Sequence, residues 1–144
     1  MLIVCQSDRS PIEPTESATN LSEENCPDTP IDTLIKKVED LINEKDFLAA
    51  LTTSEELEVR SRNTLCYSKR LTAIEHRASL LYNFGLKKGI VYEIDELLDE
   101  AFSILEQDKR LISKAKGIYY LEGIAAYGNR NYANGINNLQ IAID

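Results

Sequence analysis

The chain of 144 residues lacks tryptophan and has one histidine, His76. Catalytic triads and metal sites need partners that converge on a histidine, and no motif near His76 supplies them. The cysteines Cys5, Cys26 and Cys66 are widely spaced and form no CxxC pair, which argues against zinc. The glycine-bounded segment 85–89 lacks the phosphate-loop pattern GxxxxGK[ST]. The sequence therefore predicts a protein that is not an enzyme and needs no metal or cofactor.

Long hydrophobic runs and positive charge are also scarce. No segment approaches the roughly 20 apolar residues of a transmembrane helix, so we expect none. Lys and Arg total 16 against 24 Asp and Glu, which gives a formal net charge of -8. Nucleic acids and anionic membranes are held by contacts of Lys and Arg with phosphate. This charge balance argues against a nucleic-acid partner.

Proline is absent from residues 31–144, because all four prolines lie in the first thirty residues. Proline breaks helix interiors, whereas turn-rich β-proteins usually need it. Residues 31–144 are therefore predicted to form a mostly helical domain.

Residues 1–30 have a different composition. From Gln6 to Pro30 the chain is rich in Ser, Thr, Asn, Pro and acids, and it has few large apolar side chains. Six acids and one arginine give residues 1–30 a charge of -5, which leaves -3 of the total for residues 31–144. Such a segment buries too little apolar surface to offset the entropy lost on ordering. We predict a flexible acidic tail or tether.

The start of the chain partly resembles a bacterial lipoprotein, whose mature chain begins at a cysteine followed by a polar tether. Cys5 follows a short apolar stretch, but a basic leader is missing and Val4 stands where a small residue is expected. Two locations stay open: cytoplasmic, or envelope-anchored if Cys5 is lipidated. An oxidising compartment would allow a disulfide between Cys5 and Cys26, although both cysteines lie in the predicted flexible tail. Cys66 is expected as a small, buried or half-buried apolar residue at a helix start.

Apolar residues recur at helical spacing in six segments of the proline-free domain. Thr29 suits the N-cap of the first segment, Pro30 suits the first helical position, and Asp32 completes a capping box. Short turns would join the six helices as three antiparallel pairs. The predicted helices cover residues 31–44, 47–60, 65–84, 90–107, 109–129 and 132–144.

The last predicted pair carries a pattern of bulky and small residues. Gly123 and Gly135 would let the two helices approach closely, with Tyr119 and Tyr132 filling the spaces beside them. The pattern resembles a tetratricopeptide repeat (TPR), a helix pair of about 34 residues. The matching positions are Tyr119, Gly123, Ala126 or Tyr127, Tyr132, Gly135, Leu139 and Ala142.

The first pair follows the TPR pattern less completely. Val38 replaces a small residue and Ser54 replaces a bulky one, while residues 65–115 resemble the family through helix pairing alone. Phe47 and Tyr132 are also further apart than the roughly 68 residues of two periods. The resemblance implies an all-α fold: three antiparallel helix pairs stacked as a short right-handed superhelix over residues 31–144. A helical bundle without repeats is the alternative.

The resemblance also implies a function, because TPR stacks bind peptides on a concave face formed mainly by the first helix of each pair. It implies a non-catalytic interaction module that binds a peptide or helix of a partner protein. Ile124 and Glu39 stand where some family members carry an Asn that clamps a carboxylate, so we expect no such clamp. The alternative for Tyr120 and Tyr127 is packing against a neighbouring helix. The candidate partner-binding residues are Tyr120, Ile124, Tyr127, Ile35, Glu39 and Ile42.

Two further functions stay open. One is an envelope lipoprotein that organises a secretion or pilus-type assembly, with Cys5 as its anchor. The other is a chaperone-like or regulatory helical protein that sequesters one partner. The last predicted helix still presents apolar residues near Ile143, whereas a polar capping helix usually closes a TPR array. We expect either a fragment or an end covered by the tail, a partner or another subunit, which favours a homo-oligomer.

Overall fold

The computed structural model describes residues 26, 27, 29–85 and 89–144. Within these residues all regular structure is helical and no β-strand occurs, which confirms the all-α prediction. Most of the predicted acidic tail, including Cys5, lies outside the described residues. The α-helices are α1 (Pro30–Asn43), α2 (Phe47–Arg60), α3 (Tyr67–Phe84), α4 (Ile90–Gln107), α5 (Lys116–Gly128) and α6 (Tyr132–Ile143).

The predicted capping box starts α1. The Thr29 hydroxyl oxygen accepts a hydrogen bond from the backbone N–H of Ile31 at 3.2 Å. The Asp32 carboxylate accepts one in return from the backbone N–H of Thr29 at 3.0 Å. These bonds satisfy N–H groups that a helix start leaves without partners, and Pro30 has no N–H to satisfy.

The turns between α1 and α2 and between α5 and α6 share one geometry. Lys45 and Arg130 occupy the left-handed region, with φ of 64° and 65°. In each turn the next residue donates its backbone N–H to the carbonyl five residues earlier, at 2.9 Å. This is the Schellman termination, which ends one helix and reverses the chain within three residues. Both turns therefore produce antiparallel neighbours, as predicted.

Two predicted helix starts are wrong. The helix predicted over residues 109–129 breaks, because Lys109–Lys114 forms a 3₁₀ segment and α5 begins at Lys116. The Asp108 side chain accepts from the backbone N–H two residues on, which holds the first turn in the tighter form. Leu111 of this segment is thereby buried against the core.

The helix predicted from Leu65 begins instead at Tyr67. A 3₁₀ turn, Ser61–Asn63, ends the preceding α2. The Thr64 hydroxyl then accepts from the backbone N–H of Cys66 at 3.1 Å, which holds the connection outside the helix.

Cys26 and Cys66 form a disulfide, with their Cα atoms 5.7 Å apart. Cys26 therefore does not pair with Cys5, as the sequence alone would have allowed. Cys66 is buried, as expected, but as half of a disulfide and not as a simple apolar side chain. Lys69 explains the arrangement, because its ammonium donates to the carbonyl of Pro27 and binds the Asp32 carboxylate at 2.6 Å. These contacts hold the segment before α1 against the start of α3.

The apolar core has two parts, and α3 contributes to both. One face of α3 packs with α1 and α2, and the opposite face packs with α4, the Lys109–Lys114 segment and α5. The first part contains Leu34, Val38, Ala50, Leu57, Ala73 and Leu80. The second part is larger and includes Leu71, Ile74, Leu81, Leu97, Leu98, Leu105, Leu111, Ile118 and Leu121.

Small residues let α5 and α6 pack closely, as the sequence predicts. A Cβ added at Gly123 would lie 2.7 Å from Cγ of Leu139, and one added at Gly135 would lie 3.1 Å from the carbonyl oxygen of Gly123. Both distances are shorter than ordinary van der Waals contact, so the two helices depend on glycine here.

Candidate functional site

The first helices of the three pairs are α1, α3 and α5. They lie next to one another, because α3 contacts both α1 and α5. Two successive residues of α3 make these contacts: Glu75 contacts α5, and His76 contacts α1. The Glu39 carboxylate of α1 lies 3.0 Å from Nε2 of His76 and accepts its hydrogen bond. The Glu75 carboxylate lies against Gly117 of α5, where an added Cβ would be 2.4 Å from Cδ of Glu75. We call the surface that α1, α3 and α5 form together the first-helix face.

Electrostatics on the first-helix face differ between the two acids. Burial raises the pKa of Glu75, and His76 partly opposes this effect. Glu39 is exposed, whereas His76 is half-buried beneath it. Glu39 can therefore meet a charged group of a partner, while Glu75 belongs to the contact between α3 and α5.

Tyr120 and Tyr127 lie on α5 after the Glu75–Gly117 contact, seven residues apart. Their side chains are 53% and 51% exposed. The ring of Tyr127 meets that of Tyr132 edge-on, with centroids 4.9 Å apart. Ile124 between them is half-buried and packs against the larger part of the core. Tyr127 is therefore held in place by its contact with Tyr132, and both Tyr120 and Tyr127 expose about half of their side-chain surface to solvent.

The candidate residues of α1 are placed differently from the tyrosines. Ile35 and Ile42 are half-buried and pack against the core part formed by α1, α2 and α3. Glu39 is exposed and is joined to α3 through His76. Because α3 lies between α1 and α5, it separates these residues from Tyr120 and Tyr127 rather than bringing the groups into contact.

Sequence reasoning missed Arg70, which is only 4% exposed on α3. Its guanidinium donates to the carbonyl of Glu58 at 2.8 Å and to the Ser61 hydroxyl at 2.7 Å. It also binds the carboxylates of Glu58 and Glu100, at 3.0 and 2.6 Å. Burial alone would lower the pKa of Arg70, but these two carboxylates reverse the effect and raise it.

Arg77 repeats this arrangement one heptad later and is 3% exposed. It donates to the carbonyl of Leu51 at 2.9 Å and to the Ser54 hydroxyl at 3.2 Å. On α4 it binds the Glu93 carboxylate at 3.2 Å. The spacing of seven between these two arginines, on a helix with apolar faces, is the sequence signal that could have revealed the network.

A groove of ≈ 630 Å³ lies beside Arg70, between the end of α2 and α4. The Glu58 carboxylate lies on the wall of the groove and binds Arg62, which lowers the pKa of Glu58. Burial opposes this shift, and Arg70 adds to it. Glu93 and Glu100 also bind arginines. These carboxylates therefore stabilise the fold. The groove is lined by Glu58, Arg62, Arg70, Gly89, Tyr92, Glu93, Glu96, Leu97 and Glu100.

Two searches of the described residues concern metals and membranes. Across the described ranges, His, Cys, Asp and Glu side chains form no group of three that could hold a metal ion. None of the helices in this part of the chain combines the length and apolar character needed to cross a membrane.

No protein-family model, curated protein or solved structure matches the chain. The TPR resemblance therefore stays a prediction that rests on the residues of this sequence.

Proposed function

We propose that residues 31–144 form a non-catalytic, TPR-like module that binds a peptide or helix of a partner protein along the first-helix face. The observation that carries this proposal is the half-exposed pair Tyr120 and Tyr127 beside an α3 that contacts both α1 and α5. Tyrosine is enriched at protein interfaces because it offers a large apolar ring with a polar end.

Two features support stacking of the TPR type. The α1–α2 and α5–α6 turns share the Schellman geometry around Lys45 and Arg130. Glycines also permit close packing of α5 on α6, as the resemblance implies for small residues at Gly123 and Gly135.

The exposed groups indicate the chemistry of the partner segment. Tyr120 and Tyr127 offer aromatic surface, and exposed Glu39 offers a carboxylate on the far side of α3. An apolar segment with a basic residue at one end matches this order, because the basic residue can pair with Glu39.

Site-specific photo-crosslinking tests the proposal. A photoreactive phenylalanine analogue replaces Tyr120 or Tyr127 in one pair of samples, and Tyr92 in a matched control. Tyr92 is a fair control because it is 78% exposed and lies on α4. We expect the same adduct from both α5 positions and not from position 92. Adducts of equal yield at all three positions would contradict binding at the first-helix face.

The Cys26–Cys66 disulfide favours a second candidate function. Disulfides persist mainly in oxidising compartments such as the bacterial periplasm. We therefore propose, as the alternative, an envelope lipoprotein scaffold in a secretion or pilus-type assembly, anchored at Cys5. Metabolic labelling with a radioactive fatty acid tests the anchor. Label that is incorporated by the parent and lost in Cys5→Ser supports it, and an unlabelled parent contradicts it.

A chaperone-like or regulatory role would use the same first-helix face and sequester one partner. The crosslinking experiment separates this role from that of an adaptor. A sequestering protein gives a single adduct that contains no third protein, whereas an adaptor stays bound to further components of its assembly.

A further inference from the structure

The helix α6 has one flank that α5 does not cover. Only Gly135 and Asn138 of this helix are buried. The side chains of Ile136 and Ile143 are 59% and 77% exposed, and Tyr132 is exposed as well. Leu139 lies at the border of this flank, where it packs on Gly123 of α5 and stays half-buried. With Leu139, these residues follow the spacing i, i+4, i+7, i+11, and they span an arc of about 60° at 3.6 residues per turn. This is the spacing of a seam between two helices.

The charge on this flank distinguishes it from other exposed apolar side chains. From Asn131 to Ile143 the chain has no charged residue, although its net charge is -8. In a two-fold interface the same patch faces itself, so any net charge would meet its like. On α4, by contrast, exposed Val91 and Tyr92 lie among six acids without a basic residue. Of these two surfaces, α6 suits a second copy of the chain.

Opposite charges stand at the two ends of the neutral stretch. Arg130 precedes α6 and Asp144 follows it. A two-fold axis near residue 137 would make two α6 helices antiparallel and place Arg130 beside Asp144 of the second copy. An axis half a residue further along sets Tyr132 opposite Ile143 and Ile136 opposite Leu139. Charge and apolar spacing therefore agree on the register to within one residue.

We propose that α6 pairs with α6 of a second copy, antiparallel and centred near residue 137. The interface adjoins the first-helix face only where Tyr132 packs edge-on against Tyr127, and it leaves Tyr120 free. It therefore goes beyond the proposed function, and either one can fail without the other.

Sedimentation-velocity ultracentrifugation of the full chain over a wide range of concentrations tests the pairing. We expect a concentration-dependent dimer that Ile136→Asp abolishes and that the control Leu48→Asp retains. Leu48 is 77% exposed on α2. A parent that stays monomeric at every concentration, or a dimer that survives Ile136→Asp, would overturn the proposal.

A charge swap tests the register without changing apolar residues. We expect Arg130→Asp and Asp144→Arg each to weaken dimerisation on the order of tenfold, since each places like charges together. The double variant restores the pairing and should recover the parental dimerisation. Asp tolerates the left-handed φ of position 130. Circular dichroism verifies the helix content of each variant. A double variant no better than the single ones would refute the antiparallel register.

Discussion

Arg70 and Arg77 lie seven residues apart on α3, and each guanidinium donates to a carbonyl of α2, to a serine hydroxyl in α2 or the 3₁₀ turn that ends it, and to a carboxylate of α4. The later arginine pairs with the earlier residues of both neighbouring helices, so α2 and α4 both run antiparallel to α3. A buried cation is costly unless its N–H donors have hydrogen-bond partners. The donors of both arginines find their partners only when α2 and α4 pack against α3 in this one alignment. The network therefore fixes how the middle of the fold is assembled.

Replacing Arg70 by alanine should lower the free energy of unfolding by about 3 kcal/mol, because it removes partners of the buried Glu58 carboxylate and Ser61. The control Arg60→Ala breaks an exposed pair with Glu56 and should cost less than about 1 kcal/mol. Urea unfolding followed by circular dichroism measures both. Equal losses in the two variants would contradict a structural role for the buried network.

Gly123→Ala should destabilise the packing of α6 on α5. The new methyl group overlaps Cγ of Leu139, and such overpacking costs about 1–3 kcal/mol. Gly128→Ala is the matched control, because a Cβ there meets nothing within 4 Å. Alanine is the better helix former by about 1 kcal/mol, so the control should be neutral or stabilising. Thermal unfolding ranks the two variants, and a Gly123→Ala protein as stable as the control would refute the close approach.

Reduction of the Cys26–Cys66 disulfide should lower stability by about 2–4 kcal/mol, since the bond closes a loop between residues 40 apart in sequence. Thermal unfolding with and without reductant measures the loss, and Cys66→Ala should show no response to reductant. Cys5→Ser serves as the control and should respond like the parent. A Cys5–Cys26 peptide in a non-reducing digest would contradict the pairing.

Glu122→Gln should stabilise the protein at neutral pH and should lose this advantage in acid. Burial raises the pKa of Glu122, and the carboxylates of Asp95 and Asp99 raise it further. A carboxyl with a raised folded-state pKa opposes folding once it ionises, so its unfavourable effect grows as pH rises through that pKa. Urea unfolding at several pH values measures the difference. The exposed Glu55→Gln is the control, and a pH-independent difference for Glu122→Gln would contradict the account.

Much of the helical architecture could be predicted from the sequence. The Thr29 capping box and the prolines confined to the first thirty residues define where the helical domain starts. Glycines at positions 123 and 135 were predicted to sit where helices approach, and they do. These features are local, or depend on two neighbouring helices, so a short stretch of sequence contains them.

The remaining features depend on residues far apart in the chain. Arg70 and Arg77 would ordinarily be assigned to a solvated surface, because arginine is seldom buried without partners. Their partners on α4 lie 30 and 16 residues further along the chain. The spacing of seven between the two arginines hints at burial, but it does not identify these partners. The disulfide between Cys26 and Cys66 likewise depends on how the segment before α1 meets α3. At the site, Glu39 and His76 are 37 residues apart.

The central claim is that a partner protein binds along the first-helix face. A quantitative pull-down with the parent, Tyr120→Ala/Tyr127→Ala and Tyr92→Ala tests it most directly, with equal helix content verified by circular dichroism. Because the two α5 rings are the exposed anchors of this face, we predict that the double variant loses the partners that the parent and Tyr92→Ala retain. Undiminished recovery of the same partners by the well-folded double variant would contradict the claim.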